Sequence, residues 1–459
     1  MGIYVPPRGS TVPGKLRVVA GAALLSSAIV IPGKALAVPS FARQTGFPCA
    51  QCHTLAFGPA LTPYGRQFKL TGYTAGKGEH PMPVALMMQG GFSHTEAAQP
   101  QAPAPHYATN DNLSVDQVSL FLATRLTEHV GLFSQATYSG EQRHFSWDNT
   151  DLRYARLLSL FGTDEVAGIS INNNPTVQDL WNSTPAWGFP YITSPLLPSP
   201  SASPVISGAL AQLVLGATAY TMIHEQFYLE GGMYRGLSDR WLNNVGLYST
   251  SNPHVQGVAP YWRAAYQRVS GSRYFSLGTF GMNVRMQSNP SIADTDRFTD
   301  IGFDAVYQLS GEGDTGVLAN ASYIHERQDL EATFRSGGSM SPSHHLDVLK
   351  VDASYVYRQT LSAGAGVFDT KGDADPTFYS PAPLTGSASG APASRGYILQ
   401  FEYVPFGKKG SWAAPWVNVR LGVQYTGYVR FNGGTSNYDA FGRSSRQNNS
   451  LFMFVWAAF

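Results

Sequence analysis

The sequence predicts an all-β chain closed into a transmembrane antiparallel β-barrel of about sixteen strands, preceded by a short separate segment. Three observations predict it. Only 13% of the 459 residues are charged, 12% are aromatic and 47 are glycine, whereas a soluble domain averages about 25% charged. Long stretches alternate apolar and polar residues with period two, as a strand with one apolar wall requires. The links between these stretches alternate short and long, as at the two rims of an outer-membrane barrel.

Residues 1–37 read as a secretory signal peptide. Arg8, Lys15 and Arg17 form a basic start, Val18–Ile31 is apolar, and Ala35-Leu36-Ala37 offers a small-x-small cleavage site before Val38. The apolar run is short of the roughly twenty residues a bilayer helix needs. Cleavage removes four basic and no acidic residues, taking the net charge from +1 to −3. That balance, with no basic run, gives no electrostatic case for nucleic acid.

Residues 38–81 form the next unit. They hold both cysteines of the chain, in Cys49-Ala50-Gln51-Cys52-His53, the spacing of c-type haem attachment. Two thiols three residues apart can each form a thioether to one porphyrin, and the following imidazole then lies under the iron. A buried CxxC pair or a disulfide is the competing reading. A zinc site would need further Cys or His ligands at set spacing, and no other cysteine exists. The expectation is one covalent haem c on Cys49 and Cys52, with His53 as proximal iron ligand. So small a unit lacks the core area to bury a haem alone, so the segment is expected to plug the lumen and use the barrel as its missing wall.

The barrel is expected over residues 82–459. Val417, Val419, Leu421, Val423 and Tyr425 alternate with Asn418, Arg420, Gly422, Gln424 and Thr426. Leu349, Val351, Ala353 and Tyr355 alternate with Lys350, Asp352 and Ser354. A first strand falls near Pro83–Phe92, followed by strands at Ser114–Leu126 and Val130–Tyr138 and a long loop around Trp147. Short links are expected at Gly162-Thr163-Asp164, Ala219-Tyr220, Ser270-Gly271-Ser272, Gly311-Glu312-Gly313, Leu361-Ser362 and Phe406–Gly410. Long ones are expected at Asn172–Ser203, Leu237–Val255, Asn289–Asp296, Glu331–Ser343, Lys371–Ser394 and Phe431–Asn448. The chain ends on an apolar strand, Leu451–Phe459, with an aromatic last residue. An even strand count leaves both termini periplasmic in the outer membrane of a Gram-negative bacterium.

Gln44-Thr45-Gly46-Phe47-Pro48 before the haem motif, and Leu61-Thr62-Pro63-Tyr64-Gly65-Arg66-Gln67-Phe68-Lys69-Leu70-Thr71-Gly72-Tyr73-Thr74 after it, resemble the fused outer-membrane monohaem cytochrome c–porin family of iron oxidases. Asn172-Asn173-Asn174-Pro175 to Trp181-Asn182-Ser183-Thr184-Pro185 resembles that family too. The resemblance implies an oxidoreductase that oxidises extracellular Fe(II) and passes the electron to periplasmic carriers such as a soluble cytochrome c, within outer-membrane lipid. A diffusion porin with a haem-bearing plug or sensor, another extracellular donor, and a periplasmic cytochrome with a soluble β-domain are the alternatives.

Several further residues are candidates. Met87, early in the first strand, is the candidate distal ligand, since a thioether raises the reduction potential. Met88, His80 and Met82 compete for that role. Arg66 and Lys69 are candidate partners for haem propionates. His94, Glu96, Asp111, Glu141, His144 and Asp148 are read as outer-loop groups able to attract Fe(II), without the spacing of a tight metal site. The loop around Trp181 and Trp187 either folds into the lumen or caps the outer mouth. No hydrolytic constellation and no phosphate-binding glycine loop are present.

Overall fold

The structure, a computed structural model, describes residues 40–76, 82–160, 162–287, 294–414 and 416–459. The expected signal peptide (1–37) and His80 lie outside the described residues, as does most of the 289–296 connection. The strand segments are β1 (Val84–Thr95), β2 (Asn112–Arg125), β3 (Val130–Ser139), β4 (His144–Leu160), β5 (Thr163–Asn172), β6 (Val214–Ile223), β7 (Phe227–Gly236), β8 (His254–Val255), β9 (Ala259–Ser270), β10 (Arg273–Gln287), β11 (Asp296–Ser310), β12 (Gly316–Asp329), β13 (Ser343–Tyr357), β14 (Leu361–Gly372), β15 (Ser394–Tyr403), β16 (Asn418–Arg430) and β17 (Ser450–Ala458).

Neighbours in sequence pair antiparallel, and β1 pairs with both β2 and β17, which closes the ring. The two-residue β8 prolongs the line of β9, pairing with β10 at Val255 and Met286. The ring therefore has sixteen strands. Closure pairs every strand edge, which lipid demands because it offers no hydrogen bonds.

The period-two pattern sorts the side chains as the sequence predicts. Phe303, Val367 and Phe401 point outward and stay more than half exposed, while Arg153, Arg263 and Arg420 occupy inward positions of their strands and are buried. Tyr355, Tyr397 and Tyr403 add aromatic rings to the outer face. An apolar outside with aromatic rings, a polar inside, and long loops gathered at one rim make this an outer-membrane porin-type barrel embedded in lipid.

Several strand limits differ from expectation, among them the link expected to end at Ser203, which runs on to Leu213 before β6. Ala219 and Tyr220 lie within β6, and the turn comes at His224–Gln226, because Thr221 and Met222 continue the ladder to β5. Leu361 and Ser362 open β14 after a turn through Arg358 and Gln359, both at positive φ. Trp147 is part of β4 rather than a loop. There β3 and β4 shift register between Ser134 and Ala136, and the Trp147 amide pairs with the Val245 carbonyl at 2.9 Å.

Residues 173–213, between β5 and β6, fold into the lumen. Asp179 meets Arg263 at 3.1 Å, and Ser183 donates to Asp304 at 2.6 Å. The Ile206 amide donates to Asp300 at 2.9 Å, and Gln424 donates to the Ile192 carbonyl at 3.1 Å. The loop thus spans the lumen, anchored to walls well separated around the ring, and of the two expectations for it the inward fold is the one found.

Residues 40–76 also lie inside the barrel, at the rim of the short turns. They contain the helices α1 (Ser40–Thr45), α2 (Cys49–Cys52) and α3 (Pro63–Leu70). Tyr73 donates to Asp151 at 2.7 Å, Tyr220 donates to the Leu70 carbonyl at 2.8 Å, and Asn418 donates to the Ala56 carbonyl at 2.8 Å. Leu70 packs into an apolar cluster with Ala155, Trp181, Tyr220 and Tyr228. A segment too small for its own core is held by the polar inner wall.

Candidate functional site

Pro48, extended at φ −68° and ψ 157°, starts the single turn α2. One turn brings residues i and i+3 to the same face, so Cys49 and Cys52 present their thiols together. The His53 amide closes the turn on the Cys49 carbonyl at 2.9 Å. His53 then turns extended, bridging Leu61. Thr62 accepts from the Gly65 amide at 3.2 Å and Pro63 occupies the first turn, which starts α3. The Thr62 amide donates to the Cys52 carbonyl at 2.9 Å, so α3 is tied directly to the CxxCH turn.

Cys49, Cys52, His53 and Met87 all line one cavity of about 640 Å³ between this segment, the barrel wall and the lumenal loop. That volume lies in the range of cofactor pockets. Both thiols are free and half-buried. Burial pushes the Cys52 thiol up to about 12 and raises Cys49 as well. Burial lowers the His53 imidazole to about 4, so it is neutral at pH 7. Its Nδ1 is shielded from solvent, and the Gly58 backbone lies within hydrogen-bonding reach of the ring. Two adjacent thiols, a neutral buried imidazole and a cavity walled by Phe57, Trp187, Tyr191 and Trp456 fit a tethered porphyrin.

Met87 is an inward position of β1, 7% exposed, and its Sδ accepts from Gln89 Nε2 at 3.7 Å. Met88 faces outward, and neither it nor Met82 lines the cavity. Of the candidate propionate partners, Arg66 is corrected. It does not line the cavity, because its guanidinium donates to the Leu61 carbonyl at 2.8 Å and Gln308 at 3.0 Å, 3.6 Å from the Tyr274 ring centroid. Lys69 does line the cavity, yet donates to the carbonyls of Val177 and Asp179 and to Asn182 Oδ1 at 2.9 Å. Burial, with Arg153 nearby, lowers its ammonium to about 7. It ties the segment to the lumenal loop.

Of the expected outer groups, His94 and Asp111 pair at 2.6 Å on the surface. His144 opens β4 and contacts the Gly246 carbonyl at 2.9 Å. Asp148 is corrected: it belongs to β4, lines the cavity and accepts from Thr137 at 2.7 Å. Among the described residues no group of three or more His, Cys, Asp or Glu is placed to hold a metal ion.

Sequence reasoning missed the wall residues that seat the motif. Gln359 donates to the Ala50 carbonyl at 3.0 Å, and Arg420, paired with Glu402, donates to the Phe57 carbonyl at 3.2 Å. Arg420 carries one sequence signal, polarity on the inward parity, as does Asn418; Gln359, in the turn before β14, carries none.

No family model matches the chain, and no curated protein matches it. Among solved structures it is similar to OmpF of Salmonella typhi in complex with daunomycin, at 13% identity over 82% of this chain and 97% of that one, with TM-score 0.49. It is also similar to an anion-selective porin from Comamonas acidovorans, at 9% identity over 82% and 98%, TM-score 0.45. The outer-membrane channel DcaP of Acinetobacter baumannii aligns at 11% identity over 82% and 96%, TM-score 0.42.

Proposed function

We propose that this chain is an outer-membrane electron-transfer protein that carries one haem c and oxidises an extracellular donor, Fe(II), for periplasmic carriers. The observation that carries the reading is that Cys49, Cys52, His53 and Met87 line a single cavity inside a closed barrel. Cys49 and Cys52 would hold the porphyrin edge covalently, His53 would ligate the iron, and Met87 would approach from the wall. When bound, haem c supplies a one-electron Fe(III)/Fe(II) couple, whose potential a thioether ligand raises. Gln359, Asn418 and Arg420 fix the backbone on either side of His53. Phe57, Trp187 and Trp456 give the cavity apolar walls, and the barrel keeps lipid away from it. By the usual orientation of such barrels, the short turns and both termini are periplasmic.

Purified protein in detergent tests this. After expression with a working haem-attachment system, covalent haem should be present in the parent and absent from Cys49→Ala/Cys52→Ala. Stopped-flow mixing with Fe(II) should reduce it, and a haem that stays oxidised defeats the reading. Met87→Ala should change the haem spectrum and lower the midpoint potential, and an unchanged spectrum removes Met87 as ligand.

A second reading, a diffusion porin whose N-terminal segment is a plug or sensor, is favoured by the porin-type barrel itself. Solute flux into liposomes with a redox-silent haem would select it.

A further inference from the structure

A second cavity of about 430 Å³ lies in the lumen beside the first. The two share Asn182, Pro185, Gly188, Pro190 and Thr193, so this stretch of the lumenal loop is the septum between them. The septum is seated by packing: a side chain at Gly366 would bring its Cβ to 2.8 Å from the Phe189 ring. Residues 182–207 contain no Lys, Arg, Asp or Glu. The charged groups lining the second cavity are therefore both on the barrel wall, Lys350 and Asp352 of β13.

These two groups are not equivalent. Asp352 is buried and accepts from Asn320 Nδ2 at 2.8 Å. Lys350 sits on the same inward parity but is exposed, because the cavity opens at it. Among the described residues Lys350 makes no side-chain hydrogen bond and no direct ion pair, while the Asp352 carboxylate is near enough to act on it electrostatically. An ammonium with no direct partner, facing uncharged loop and hydroxyl groups such as Ser322 and Thr370 and with Asp352 two residues along the strand, is a site for an anion.

We propose that this second cavity binds a small oxyanion-bearing solute, a carboxylate or phosphate, through Lys350. The carboxylate of the solute would take the ammonium's donors, and Ser322 and Thr370 would supply hydroxyls around it. A bare divalent cation is the wrong partner, since it would meet the Lys350 ammonium and find Asp352 as the single carboxylate of the lining. The oxyanion arrives either free or as part of a metal chelate.

Calorimetry on the full-length protein in detergent at low ionic strength tests this with citrate, inorganic phosphate and magnesium citrate. Magnesium is used because a hard cation leaves thiols and imidazole alone. The parent should bind at one site, and Lys350→Gln should weaken binding at least tenfold while Asp352→Asn does not weaken it. Retained heat-modifiable mobility verifies that each variant is folded. Tighter binding of magnesium citrate than of citrate identifies a chelate as the natural form, and the reverse order identifies the free anion. No binding by the parent, or equal binding by folded Lys350→Gln, overturns the proposal. None of these outcomes depends on whether Fe(II) reduces the haem.

Discussion

Gly65→Ala probes the contact on which the candidate site depends. Gly65 lies in the first turn of α3, where that helix crosses the CxxCH turn. A Cβ there would overlap the Cys52 carbonyl oxygen and stand 3.1 Å from both the Cys52 carbonyl carbon and Leu61 Cδ2. Ordinary carbon contacts fall at about 3.5–4.0 Å, so α3 would have to retreat by roughly half an ångström or more. It has little freedom to do so. The Thr62 amide uses the same Cys52 oxygen, Arg66 is fixed to Gln308, and Lys69 to the lumenal loop. Overpacking of this kind costs about 1–3 kcal/mol, or roughly a five- to 150-fold rise in the undocked population of residues 40–76, at 1.4 kcal/mol per tenfold. Limited proteolysis of the folded protein in detergent should therefore cut this segment faster in Gly65→Ala, with the barrel's heat-modifiable mobility unchanged. Gly231→Ala, where nothing lies within 4 Å, is the control and should behave as the parent. Equal protection of the segment in Gly65→Ala and the parent would refute the proposed packing of α3 on the motif.

Three further perturbations test other supports. Asp151→Ala removes the partner of fully buried Arg153 and the acceptor of Tyr73, and breaking a buried pair costs about 3–5 kcal/mol; hydrogen exchange at residues 71–76 should accelerate, and unchanged exchange contradicts the assignment. Arg420→Met strands Glu402 and releases the Phe57 carbonyl, so exchange at residues 54–60 should rise at a cost of the same order, while the opposite wall stays protected. At the long-loop rim, burial raises the Asp375 carboxyl, but hydrogen bonds from Phe378, Ser339, Met340 and Thr377 outweigh it and hold the group well below the usual carboxylate range. Its contribution is thus present above the unfolded value of about 3.9 and fades as pH falls through the lower folded value. Loop 373–393 should accordingly resist protease down to about pH 4 in the parent, and Asp375→Asn should lose that protection at every pH.

The barrel was legible because lipid outside and polar side chains inside impose opposite demands on alternate residues. In β13 and β16 this left unbroken parity, with Lys350, Asp352, Asn418 and Arg420 all facing in. Strand ends were less legible. At Ala219-Tyr220 small and aromatic residues look like a turn, yet the choice there is made by pairing with Val166–Asn172 of the neighbouring strand. The haem motif is local and its spacing was readable, and parity within β1 separated Met87 from Met88. Arg66 could not be assigned, because its Gln308 partner lies 242 residues away. Arg420 and Asn418 were readable as inward and polar, but not as supports of Phe57 and Ala56, more than 360 residues distant.

The way the segment is held bears on how the site works. A water-filled porin wall needs its inward polar groups only for solvation. Here Asp151, Tyr220, Gln308, Gln359, Asn418 and Arg420 each bond a specific atom of residues 40–76. Hydrogen bonds are directional, so this wall fixes orientation where an apolar wall would allow sliding. Lys69 extends the same bonding from the segment to the lumenal loop, and Asp179 and Ser183 of that loop continue it to Arg263 and Asp304 on the far wall. The loop is thus tied on one side to α3 through Lys69 and on the other to the barrel, while forming the septum between both cavities. Pro185, Pro190 and Thr193 line both chambers, so a bulkier side chain at Thr193 reaches both, whereas Lys350 lines one alone.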